Sequence, residues 1–572
     1  RYRRPSELDA DLRLLQDSLV EVGAGRLATA TVWPARRALD VFGFHLAALD
    51  IRQNSRFHDE ALAQILCKSG MDAADFPEWS EERRLEFLNE ELKSPRPFLY
   101  SDTGIGPQAD AVLACYRVIK HHITEYGIEG VGSLIVSMTR SLSDLLVVYV
   151  LAREAGLMHW SPEGLVCSTA VVPLFETAED LDRSPALIEA FLSHPVTQRS
   201  LIHLKEERSP VLAMRYRQPV QQVMIGYSDS NKDCGIFASQ WALRQAQHEI
   251  TMAGHRAGTK IRFFHGRGGT ISRGAGPTHR FLGALPPGSI QGDLRMTEQG
   301  ETIAQKYANL DTATYNLEVL LAGVTGFSVQ SREPQEFDAQ EAKACEFVAD
   351  RSRKAYEELI HAPDFVEFFR EVTPIDALET SSIGSRPSRR TGRKSLEDLR
   401  AIPWVFSWNQ CRYYLPGWYG VGTGLHQLKQ SSPEDFRFLC QHLKSSPFLY
   451  YVLTNVETNL ASTDGKIMRE YLTLVSRKKV RDYFWKEIQR EYNLTRNMMS
   501  ELFGGKIESR RPRMLKTLHM RADALKLLHE QQIRLLKQWR SLSKRDNREA
   551  SKLLPRVLLS INAIASGLRT TG

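Results

Sequence analysis

From Leu39 to Tyr307 the chain repeats one pattern: a short apolar, β-branched run stops at a polar cluster, and a helix-length segment alternates with the next run. Five runs carry the pattern: "GSLIVS" into "MTRSLSD", "LVCSTAVV" into "PLFETAED", "QQVMIG" into "YSDSNKD", "KIRFF" into "HGRGG" and "GDLRM" into "TEQGE". Strands alternating with helices read as βα units of a parallel sheet. The side chains that follow such strands collect at their carboxyl ends, where α/β enzymes build their sites. The pattern therefore predicts an α/β barrel over residues 39–309.

Around that block the texture is helical. Residues 1–38 form a helical lead-in, and 310–373 and 401–572 repeat apolar residues at helical spacing, as in "LKTLHMRADALKLLHEQQIRLLKQW". Residues 374–400 hold "ETSSIGSRPSRRTGRKSLEDLR", which is aperiodic and basic and reads either as an exposed linker or as a loop with a ligand to bind. With 42% apolar residues the chain can bury a large core. No apolar run is long enough to cross a membrane and no signal core opens the sequence, so the expected setting is cytoplasmic. Seven scattered cysteines without a C-x-x-C pair suggest neither a disulfide framework nor a zinc site. The net charge of +7 is a modest excess that argues against a nucleic-acid partner and weakly for small anions.

The residues with chemistry to offer follow the strand-like runs. "HGRGGTISRGAG" combines glycines, whose backbone N–H groups can converge on an anion, with Arg267 and Arg273, whose guanidinium forks grip phosphate or carboxylate. It reads as a mobile anion clamp, against the alternative of a flexible turn with solvated arginines. His265, at a strand end, suits a general base or a positive partner for phosphate. Glu176 in "PLFET" and Asp229 in "YSDSNKD" can share a hard divalent cation, magnesium fitting best, although an acid in either place alone more often serves a helix start or a turn. Lys232 lies three residues beyond Asp229. Arg52 in "LDIRQNS" closes another strand-like run, and Arg386 and Arg400 bracket the basic stretch. Trp404, Phe406 and Trp408 line a pocket or, more commonly at this density, fill a core.

Taken together these segments resemble phosphoenolpyruvate carboxylase. The resemblance runs through "GFHLAALDIRQNS", "SMTRSLSD", "VVPLFETAEDL", "MIGYSDSNKDCGIFASQWAL", "FFHGRGGTISRGAGPTH", "GSIQGDLRMTEQGE", "IGSRPSRR", "LRAIPWVFSWNQCRYYLPGWYG" and "INAIASGLRTTG", in the family's order and across nearly the whole chain. It implies a TIM-like α/β barrel, incomplete in this fragment, embedded in many α-helices and predominantly helical overall. It further implies a homotetramer that is anaplerotic, fixing carbon dioxide. Phosphoenolpyruvate and bicarbonate would give carboxyphosphate and a metal-bound enolate, then oxaloacetate and phosphate. By the same resemblance Glu176 and Asp229 are ligands of Mg2+ (or Mn2+), and Arg52, Arg267 and Arg400 bind phosphoenolpyruvate. His265 and Lys232 line the site, Arg273 acts on bicarbonate, and Arg386 is a further active-site arginine.

Three departures qualify the resemblance. The family's "T-A-H-P-T-E"-like histidine motif is missing from these 572 residues, so the chain looks like the carboxyl-terminal two thirds of the enzyme and is expected to be inactive alone. A non-catalytic relative that binds phosphoenolpyruvate or dicarboxylates as a sensor or scaffold is the alternative. Ser272 and Ala275 stand where the family usually has glycine, predicting a stiffer loop. In the family's aspartate and malate effector site, Arg273 and Arg521 match the two arginines, but Asn455 replaces a lysine and Thr570 an asparagine.

Overall fold

The computed structural model describes residues 2–99, 104–207, 218–330, 333, 335–380 and 399–569. Six parallel strands make a curled sheet, a half-barrel, in the order β1 (Leu49–Asn54), β2 (Val131–Ser137), β5 (Ala170–Phe175), β6 (Val220–Gly226), β7 (Lys260–Gly266) and β8 (Arg295–Met296). Helices account for 69% of the structure. The expected partial α/β barrel among many helices is thus what forms. β3 (Met158–Ser161) and β4 (Gly164–Cys167) form a separate antiparallel hairpin, with Met158 opposite Cys167.

That hairpin corrects the reading of "LVCSTAVV" as one run. Its first half, Leu165–Cys167, belongs to β4, whereas β5 begins at Ala170 and continues through Pro173 to Phe175. Proline lacks a backbone N–H and reads as a strand terminator, but here it sits in register with Val136 of β2. A second correction concerns Arg52. It lies inside β1, opposite Ile135, and the strand runs on to Asn54, whose side chain caps the helix Ser55–Lys68 by accepting from the Phe57 N–H at 3.2 Å.

The chain divides into two compact units that exchange segments along the sequence. The first holds residues 1–175, 182–224 and 249–263. Its central helix, Leu142–Glu154, buries every residue from Ser143 to Arg153, as a helix apolar all round must. The second holds residues 176–181, 225–248 and 264–572, so the residues that follow β5, β6 and β7 all belong to it. Its aromatic core settles the role of the tryptophan run: Trp404 and Trp408 lie on the helix Ala401–Gln410 and pack at 4.6 and 5.2 Å on Phe369. Trp404, Phe406 and Trp408 are buried core, with 6% exposure at most. All seven cysteines are free thiols. No helix of the described residues is long and apolar enough to span a membrane.

Candidate active site

Glu176 directly follows β5, and the helix behind it is capped without its help. Thr177 accepts from the Asp180 N–H at 3.1 Å, while Asp180 accepts from the N–H groups of Thr177 and Glu176 at 3.0 and 3.2 Å. This reciprocal cap takes up the helix-start duty in place of Glu176. The end of β6 passes close by: a Cβ at Gly226 would come within 3.2 Å of Glu176 Cγ. Asp229 lies three residues beyond Gly226, in the first turn of the helix Ser228–Cys234, where an acid also complements the helix dipole. Two half-buried carboxylates therefore belong to successive strand ends. Among the described residues no cluster of three or more His, Cys, Asp or Glu could hold a metal. Two hard oxygen donors, with other positions left to water and substrate, fit magnesium, which retains waters and is satisfied with one or two carboxylates.

His265, the penultimate residue of β7, is 1% exposed. Its Nδ1 shares a 2.9 Å hydrogen bond with the Tyr227 hydroxyl, and its ring meets Phe281 edge-on at 5.2 Å. Burial, reinforced by the neighbouring Arg267 charge, pushes its pKa down to about 3. Burial therefore favours the neutral imidazole near pH 7. Arg267 places its guanidinium 3.8 Å over the Phe281 ring and donates from Nε to the Gly274 carbonyl at 2.6 Å.

The loop after β7 is folded back on itself. The N–H of Gly268 donates to Arg273 O at 2.7 Å, and those of Arg273 and Ala275 donate to Thr270 O at 2.9 Å. Arg273 is 3% exposed and donates to the Ser228 hydroxyl at 3.2 Å. Gly268 makes room for it, since a Cβ there would fall 2.5 Å from Arg273 Nε. The alternative of solvated arginines does not hold, since Arg267 and Arg273 are both buried in a hydrogen-bonded turn. Gly274 needs to be glycine twice over, with φ +86° and Tyr227 against its α-carbon. Ser272 and Ala275 have ordinary negative φ, so a side chain costs nothing there, and Ser272 packs against Gly417.

The remaining candidates are spread more widely. Lys232 is buried on the same short helix as Asp229, and its Nζ lies 3.3 Å from Asp233. Arg400 forms the N-cap position of the helix Ala401–Gln410. Arg52 belongs to the first unit, and Arg386 lies outside the described residues. Of the effector set, Asn455 is buried on the helix Pro447–Ser462, with its amide 3.3 Å from the Cβ position of Gly276. Arg511 donates to Thr454 O at 3.1 Å and to Thr458 Oγ1 at 2.9 Å, which brings a cation to that helix. Arg521 donates to Gly567 O at 3.4 Å, and Thr570 lies outside the described residues.

Sequence reasoning overlooked Tyr227, Phe281 and Tyr451. Tyr227 carried a usable signal, because it follows β6 directly, ahead of Asp229. Phe281 and Tyr451 look like any core aromatic until the fold brings them to His265 and to the loop.

The fold and its strand-end polar cluster define a parallel α/β half-barrel protein within a helical framework. Comparison with known proteins narrows this. The family model described as "Phosphoenolpyruvate carboxylase" matches residues 1–572. Relatives bearing that name include proteins of Methylorubrum extorquens (39% identical), Nocardia farcinica (37%) and Thermosynechococcus vestitus (36%). Each alignment covers 100% of this chain but only 61%, 60% and 56% of the respective relative. The chain belongs to the phosphoenolpyruvate carboxylase family and spans about 60% of those relatives' length.

Proposed function

We propose that this protein, in its full-length form, is a carboxy-lyase that converts phosphoenolpyruvate and bicarbonate into oxaloacetate and phosphate. The observation that carries this is the grouping of Glu176, Asp229, His265, Arg267 and Arg273 in one compact unit, on the segments that follow β5, β6 and β7. In the first stage bicarbonate attacks the phosphoryl group, giving carboxyphosphate and the enolate of pyruvate. In the second, carbon dioxide released from carboxyphosphate is attacked by the enolate carbon and phosphate departs. Arg267 and Arg400, both in the second unit, bind the phosphate and carboxylate of phosphoenolpyruvate, because guanidinium forks match both oxyanions. Arg273 orients bicarbonate. His265, a neutral imidazole fixed through Nδ1 by Tyr227, lines the site and orients substrate by hydrogen bonding. Glu176 and Asp229 would hold magnesium or manganese, which when bound offsets negative charge developing on phosphoryl and enolate oxygens.

The 572-residue chain alone is proposed to be inactive, since it lacks the upstream histidine motif. The family's tetrameric state and a cytoplasmic setting complete the proposal. The test is oxaloacetate formation, read as NADH oxidation with malate dehydrogenase in excess, by the full-length protein given both substrates and Mg2+. Turnover by the full-length protein and none by the 572-residue chain is the expected result. Tight phosphoenolpyruvate binding without turnover would overturn the enzyme reading in favour of a sensor.

A further inference from the structure

The backbone from Gly274 to Gly276 is gripped by a side chain from a helix far along the chain. Tyr451, on the helix Pro447–Ser462, is 2% exposed and donates its hydroxyl to Gly274 O at 3.3 Å and Ala275 O at 3.4 Å. Its ring meets Phe281 at 6.2 Å and lies 3.1 Å from the Cβ position of Gly276, whose φ is +148°. The Gly274 carbonyl thus accepts from two donors, Tyr451 and Arg267 Nε, while Phe281 stacks under Arg267 and touches Tyr451. Fixing that carbonyl fixes the Arg267 guanidinium, and the internal hydrogen bonds to Thr270 O carry the restraint to Arg273. An arginine anchored through Nε to a rigid acceptor loses less freedom when its terminal nitrogens take up an anion.

We propose that Tyr451 is a positioning residue: its hydroxyl pins the Gly274–Ala275 carbonyls and so preorganises Arg267 and Arg273 for an oxyanion. This rests on the proposed function only in assigning the anion to a substrate; the pinning itself does not depend on it. Tyr451→Phe removes the hydroxyl and keeps the ring, and Tyr451→Met tests whether apolar filling alone suffices.

Two measurements on the full-length protein decide the matter. Hydrogen–deuterium exchange of a peptide covering 268–276 should quicken about five-fold in Tyr451→Phe, as expected for one lost hydrogen bond, while the helix Leu142–Glu154 stays unchanged. Calorimetry with inorganic phosphate as the probe should show about five-fold weaker binding in Tyr451→Phe, and Tyr451→Met should not restore it. In turnover, the KM for phosphoenolpyruvate should rise about five-fold, with kcat changing by less than half that factor. Unchanged exchange would show that the hydroxyl does not hold the loop. Faster exchange with unchanged phosphate affinity would show that it holds the loop without positioning the arginines. Because exchange and phosphate binding need no turnover, failure of the carboxylase reading would appear separately, as an absence of oxaloacetate.

Discussion

Two turns at the carboxyl ends of parallel strands carry arginines, exposed in one and buried in the other, and the two treat the charge in opposite ways. After β2, in the first unit, Arg140 reaches Asp144 at 3.1 Å and Asp59 at 3.3 Å, and Arg84 reaches the same two carboxylates at 3.3 and 2.5 Å. Both aspartates are fully buried, so two cations answer two anions and the cluster is a closed structural network. After β7, in the second unit, Arg267 is held by a carbonyl oxygen and an aromatic face, both neutral. No carboxylate pairs with it among the described residues, as its proposed role toward an anion requires. On the proposed function, an arginine's counter-charge, more than its burial or its place at a strand end, separates framework from binding site.

The largest effect expected from this contrast is on folding. Arg84→Ala leaves Asp59 and Asp144 buried with half their compensation, which should cost about 3–5 kcal/mol. Urea unfolding of the 572-residue chain would measure it; a loss under about 1 kcal/mol would reclassify the network as dispensable.

The same cluster makes a prediction about pH. Burial pushes the His58 pKa down to about 4, and burial raises Asp59 to about 6 against the lowering effect of Arg84. A histidine depressed in the fold loses stability as pH falls from 6.5 towards 4, because the unfolded chain takes up the proton first. A carboxylate raised in the fold does the reverse, gaining stability as pH falls from about 6 towards its ordinary value. In the wild type the two offset one another. His58→Gln removes one side of the balance, so the variant should gain on the wild type by about 3 kcal/mol between pH 7 and 4.5. Parallel urea curves at both pH values would sink the idea.

On the other side of the contrast, Arg267→Met should weaken phosphate and phosphoenolpyruvate binding by about 2 kcal/mol, roughly thirty-fold, through loss of charge-assisted hydrogen bonds. Its unfolding free energy should move by about 1 kcal/mol or less, since no buried carboxylate is orphaned. Calorimetry paired with urea unfolding separates the two, and a stability loss matching that of Arg84→Ala would erase the distinction. A smaller effect is expected at the effector position. Asn455 brings no charge to a dicarboxylate, so the full-length enzyme should be about ten-fold or more less sensitive to aspartate and malate than Asn455→Lys combined with Thr570→Asn. Strong inhibition of the wild type, unchanged in the variant, would point to a cation elsewhere; Arg511, which bonds the same helix, is already paired with Glu457.

Local sequence determined a good deal about this protein. The alternation of apolar runs and polar clusters encoded the parallel sheet, because a strand's burial and a helix's periodicity are written in consecutive residues. The positions of Glu176, Asp229, His265 and Arg267 at strand ends followed from where each run stops. The tertiary structure decided what adjacency in sequence cannot express. Pro173 continues a strand because its neighbours hold it in register, although its own backbone lacks a donor. Thr177 and Asp180 cap a helix between themselves and release Glu176 from that duty. Tyr227 and Phe281 enclose His265, burial keeps its imidazole neutral, and Tyr451, 177 positions beyond Gly274, bonds to the loop that carries the arginines. Each depends on desolvation or on a hydrogen bond between segments far apart in the chain, and those free energies exist only once the fold has excluded water and brought the partners together.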